Sequence, residues 1–217
     1  MSAPSAPPHP LLGYLLDAYA GRFPAADGRV TVLPPLPGGL EASVAFTGHA
    51  VVATSLPAAD VHTREPDGFG AALAPDFLRH LAGPKGWIDA VDVTLAAPGA
   101  GGPPRLDRLP EDTAHPRVEH ARRVRRNVRV YGDAHGLVTL SVGLAGRREL
   151  SIGLWNPEDR TTRLRGRSLL ADALTLVPAG EPVFAAVAPG NARSLRAFLA
   201  SGFRPLGSEV LLRPERP

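Results

Sequence analysis

Four arginines, Arg160, Arg163, Arg165 and Arg167, fall within the nine residues 160–168, where a predicted strand gives way to a predicted helix. Unpaired N–H groups and the helix dipole favour an anion at such a turn. Guanidinium groups add charge-assisted hydrogen bonds. A pyrophosphate held by backbone amides suits this segment; an exposed basic helix start is the alternative. A second cluster, Arg122, Arg123, Arg125, Arg126 and Arg129, is either the solvated face of a helix-to-strand junction or an anion site for phosphates or an acidic substrate.

Other chemistries find less support. The chain has no cysteine, which removes disulfides, thiolate nucleophiles and Cys-ligated zinc. No Gly-x-Ser-x-Gly elbow occurs. His115 and His120, with Glu119 between them, are five apart, the wrong spacing for ligands on one helix face, so a surface helix is read there. Gly68-Phe69-Gly70 reads as a turn rather than a phosphate loop. Trp155 is either core packing or the wall of an acceptor pocket.

The elements that position these residues are clearest in the C-terminal half. Strands are predicted over Val124–Tyr131, Leu137–Leu144 and Glu149–Leu154, with a tight turn at Gly146-Arg147. Leu169, Leu170, Ala173, Leu174 and Val177 recur at helical spacing over Ser168–Val177. A short strand follows at Val183–Val187. Asn191 then caps a second helix, whose buried face holds Leu195, Phe198 and Leu199, and Gly202 sits where a C-cap glycine belongs. Leu206–Leu212 is the last strand. Such alternation makes a layered α/β (α+β) domain. The loop Pro98–Pro104 reads as a lobe boundary, dividing the chain into residues 1–110 and 111–217.

The first half repeats the theme faintly. A helix over residues 10–21 precedes a hairpin, Ser43–Thr47 with Ala50–Ser55. A helix over Gly70–Leu81 and a strand over Ile88–Leu95 follow. This pattern raises an internal duplication with a degenerate first copy, or else a coincidence of common supersecondary structure.

Among 217 residues, 44% are hydrophobic, enough for one large domain or two lobes. The net charge is +3. Lys85 is the one lysine among 24 basic residues, and an arginine excess of this compositional kind argues little for a nucleic-acid partner. Met1–Pro10 lacks the basic and apolar regions of a signal peptide. Leu11–Ala20 falls short of the roughly 20 apolar residues a bilayer span needs. A cytoplasmic protein without membrane association is the expectation.

The segment Val187–Gly207 resembles the second conserved block of the GNAT N-acetyltransferases, Asn-x-x-(Ser/Ala)-x-x-x-(Tyr/Phe)-x-x-x-Gly-Phe. Asn191, Ser194, Phe198, Gly202 and Phe203 fill its positions in order. The resemblance covers roughly the last hundred residues. It implies a mixed, mainly antiparallel sheet flanked by helices, with acetyl-CoA as co-substrate. The family's upstream loop, (Gln/Arg)-x-x-Gly-x-(Gly/Ala), binds the CoA pyrophosphate. Two registers fit it here: Thr161, Leu164 and Gly166, which keeps the helix face in phase, or Arg163, Gly166 and Ser168. Either lacks one glycine.

The resemblance further implies direct attack of a neutral amine on the thioester. It places Glu149 as the base, an exposed strand carboxylate paired with Arg147 or Arg148 being the alternative, and the backbone of Ile152 and Leu154 beside the thioester carbonyl. CoA contacts are expected from Arg163, Leu164, Arg165, Gly166, Arg167, Ser168, Asn191, Ser194 and Phe198. Phe198 stands where a tyrosine often protonates the departing thiolate, and it cannot donate. The expected partner is a small-molecule or peptide amine; a homodimer stays open. A non-catalytic acyl-CoA-binding protein on the same fold is the alternative.

Overall fold

The computed structural model describes residues 8–158 and 165–216. The chain forms two compact units. The first comprises Met1–Asp89, Leu144–Gly146 and Val210–Pro217, and the second Ala90–Gly143 and Arg147–Glu209. Both are mixed α/β structures built on mainly antiparallel strands with flanking helices.

The first unit contains helix α1 (Leu11–Tyr19), strands β1 (Val30–Leu33), β2 (Glu41–Phe46) and β3 (His49–Ala53), and helices α2 (Ala58–His62) and α3 (Pro75–Ala82). Strand β4 (Trp87–Ile88) ends this stretch. Leu11, Leu15 and Ala18 recur at helical spacing and bury one face of α1. The helix expected over 70–81 divides into a 3-10 turn, Ala71–Leu73, and α3. Ala74 precedes Pro75 and is extended (φ −66°, ψ 143°), because the proline ring disfavours a helical residue before it.

Strand β3 pairs antiparallel with β2 and parallel with β1, so both its edges are filled. His49 opens β3 and links two segments. Its Nδ1 meets Asp27 Oδ1 at 2.9 Å, and its Nε2 meets Thr31 Oγ1 at 3.0 Å. The His49 hydrogen bond, followed by the Arg29 backbone N–H, holds the Asp27 carboxyl below its ordinary range.

The second unit contains β5 (Asp92–Pro98), β6 (Asp107–Arg108), α4 (Pro116–Val124), β7 (Arg126–Gly132), β8 (Gly136–Val142) and β9 (Arg148–Leu154). Helix α5 (Gly166–Thr175), strand β10 (Pro182–Val187), helix α6 (Ala192–Ala200) and strand β11 (Arg204–Arg213) follow, the last four residues of β11 belonging to the first unit. The sheet order is β11-β5-β10-β9-β8-β7-β6. Every pairing is antiparallel except β9 with β10, which run parallel.

Alternation assigns the two faces of this sheet. Val138, Leu150, Val183, Ala185 and Val187 join Leu169, Leu170 and Ala173 of α5 and Phe198 of α6 in one core. The opposite face carries α4, whose Val118 packs with Val130 and Leu137.

Three expectations shift here. Val124 ends α4 rather than opening a strand. Pro116 at the first helical position suits a helix start, and Arg122 and Arg123 in its last turn suit the negative end of the helix dipole. The Pro98–Pro104 loop does not separate the units: Gly99 N–H donates to Glu181 O (2.8 Å) and Gly101 N–H to Val177 O (2.9 Å). The units therefore divide at Asp89–Ala90 rather than at 110. The duplication fails on strand order, since the outer neighbour of β3 is β1, which precedes it, whereas that of β9 is β10, which follows α5.

Candidate functional site

The parallel pairing of β9 with β10 amounts to a single rung, Phe184 opposite Glu149, among the described residues. Beyond it the two strands part. Which groups face the opening follows from the hairpin ladder. Trp155 N–H donates to His135 O (3.2 Å) and Gly143 N–H to Arg147 O (2.9 Å). With Leu137 opposite Gly153 and Thr139 opposite Ser151, the odd-numbered residues of β9 turn their backbone groups to β8. The amides of Ile152 and Leu154 thus point to the other edge, past the last rung. Their side chains pack toward the α5–α6 core.

A cavity of about 790 Å³ opens along this end of β9. Ile152, Gly153, Leu154 and Trp155 line it, together with Gly166 at the start of α5 and Asn191, Arg193, Ser194 and Ala197 from α6. His115, Pro116, Arg117 and His120 of α4 form another part of its wall. Its size falls in the range of small-molecule sites, ~300–1,000 Å³. The described lining contains two arginines and two histidines and no carboxylate.

Local sequence explains the positions. Asn191 Oδ1 accepts from Ser194 N–H at 3.2 Å, the capping bond its type favours. A Cβ added to Gly166 would meet open space, so glycine there widens the cavity. His115 caps α4: its Nδ1 accepts from Arg117 N–H at 3.0 Å. The His115 ring lies edge-on to Trp155, centroids 5.7 Å apart at 77°. It also covers Gly153, where an added Cβ would stand 2.5 Å from His115 Cε1. Trp155 is anchored by Nε1–H to Asp133 O, 2.8 Å.

Of the residues singled out from sequence, Ile152, Leu154, Gly166, Asn191 and Ser194 come together on this cavity. Trp155 takes the wall position rather than core packing, being 41% exposed. Arg165 and Arg167 are exposed at the start of α5, and Ser168 Oγ donates back to Arg165 O (2.9 Å). Phe198 is buried against Phe203, ring centroids 4.9 Å apart, as a core residue. Arg163 and Leu164 lie outside the described residues.

Glu149 sits elsewhere. Its odd position turns it to the α4 face, where it is 4% exposed. Oε1 pairs with Arg125 Nη2 (2.6 Å) and Oε2 with Arg147 Nε (2.9 Å). Arg147 also clamps Glu209 through two nitrogens (2.6 and 2.7 Å), and Glu209 accepts from Thr94 Oγ1 (2.6 Å). Burial by itself would lower the Arg147 pKa, but Glu149 and Glu209 outweigh it and the guanidinium pKa is raised. A carboxylate gripped by two guanidiniums in this way serves the packing of the sheet rather than proton transfer in the cavity. Arg125 also corrects the reading of the 122–129 run as one solvated face, for its side chain is only 5% exposed.

Sequence reading passed over Arg193 and placed His115 and His120 on a surface helix. The signal for His115 was local, a histidine directly before Pro116 at a helix start. Among the described residues no three of His, Asp and Glu converge as a metal site, and no helix is long and apolar enough to cross a membrane. Compared with known proteins, the chain matches no family model and no curated protein.

Proposed function

We infer that the chain is an acyl-CoA-dependent N-acyltransferase, with the acyl thioester seated where β9 and β10 part. The observation carrying this reading is the single-rung parallel pair beside a basic cavity, which leaves the Ile152 and Leu154 amides directed into the opening. Such amides are preorganised donors for the oxyanion of an acyl-transfer intermediate. The starts of α5 and α6, with Arg193, suit the phosphates of CoA. The amine lone pair attacks the thioester carbon, a C–N bond forms and the C–S bond breaks. Sulfur leaves with the electron pair, and the proton lost from nitrogen neutralises the thiolate through solvent.

Two observations favour the second reading, a non-catalytic acyl-CoA-binding protein: Glu149 is committed to arginines, and Phe198 offers no hydroxyl. Thiol release from acetyl-CoA, measured with a panel of primary amines, separates the two. Transfer predicts release that requires the amine and scales with protein concentration. Acetyl-CoA binding without amine-dependent release would leave the non-catalytic reading standing.

A further inference from the structure

The α4 wall of the cavity presents a histidine in one defined hydrogen-bonding state. A backbone N–H can only donate, so His115 Nδ1, bonded to Arg117 N–H, is an acceptor. The proton of the neutral ring is then on Nε2. Among the described residues nothing accepts from that nitrogen, while the residue lines the cavity. The ring is held by the capping bond and the T-shaped contact with Trp155, and it fills the space that a Cβ at Gly153 would take. Trp155 is itself tied to Asp133 O. A group immobilised as a donor is suited to hold a ligand oxygen and unsuited to take a proton through Nε2. With no carboxylate in the described lining and the Arg117 guanidinium on the same wall, the potential there favours a negatively charged oxygen.

We propose that the amine acceptor carries a carboxylate, which receives the hydrogen bond from His115 Nε2–H beside Trp155. The assignment rests on the acyl-transfer reading in treating this wall as the acceptor's. A hydrogen bond to a charged group is stronger than one to a neutral group, so affinity distinguishes an acid from its amide.

The test is calorimetric titration of the full chain, with and without CoA, using an amino acid and the same amino acid with its carboxylate amidated. The acid is expected to bind roughly tenfold tighter or more. His115→Asn keeps a side-chain acceptor for the helix cap but withdraws the Nε2 donor, and should abolish the preference with little change in melting temperature. Gly153→Ala, which pushes the ring away without altering its chemistry, should abolish it too. Equal affinity for the two compounds, no binding of either, or a preference that survives both variants overturns the proposal. The acyl-transfer reading is judged separately by amine-dependent thiol release, so either can fail alone.

Discussion

Replacing Arg147 with methionine lowers the free energy of unfolding by about 3–5 kcal/mol, the range for removing one partner of a buried ion pair. Arg147 is 1% exposed and bridges Glu149 to Glu209. Without it Glu149 keeps Arg125, but Glu209, 3% exposed, keeps only Thr94 among the partners described above. The penalty is the uncompensated burial of that charge rather than the attraction lost. The double variant Arg147→Met, Glu209→Gln should therefore recover part of the loss. Chemical denaturation of both variants checks this. A single variant within about 1 kcal/mol of wild type, the value of an exposed pair, would mean that the network is solvated.

The second large effect concerns the backbone. Proline at Ile152 or Leu154 removes an amide directed into the opening and costs no hydrogen bond to β8, since the even positions of β9 face away from that strand. Proline is tolerated where a strand edge is unpaired. If one of these amides stabilises the oxyanion, its proline variant loses about 10²–10³-fold in turnover, the loss measured for oxyanion-hole donors. Ile152→Ala and Leu154→Ala trim the side chain and keep the amide, so each serves as the control. Thiol-release rates compared within each pair decide the matter. Proline variants that fold and stay within a few-fold of their alanine counterparts would remove the backbone from the chemistry.

What the sequence disclosed was mainly local. Asn191 as a cap, Gly202 with φ +89° after α6, and the apolar stripe of α5 all appear where residue type and spacing put them. Each depends on neighbours within a turn or two of the chain. It was the resemblance to the GNAT family, not local spacing, that named Ile152, Leu154, Gly166, Asn191 and Ser194 together, and the structure brings these five onto one cavity. The errors share the opposite character. Glu149 does pair with Arg147, its near neighbour in sequence, but it is buried rather than exposed, because its other partner Arg125 lies on another element and Arg147 turns inward to reach Glu209 across the sheet. Nothing in the alternation of Val124, Val128 and Val130 tells that α4 holds Val124 and that a strand starts just after. The duplication was a likeness of element order, while strand pairing, which is non-local, differs in the two halves.

Calorimetric titration of the full chain with acetyl-CoA tests the central claim most directly. If the opening between β9 and β10 receives an acyl thioester, the heat saturates at one site, and Gly166→Leu, which fills the cavity from α5, weakens binding. No saturable heat at millimolar acetyl-CoA would contradict the acyl-CoA reading in both its catalytic and non-catalytic forms.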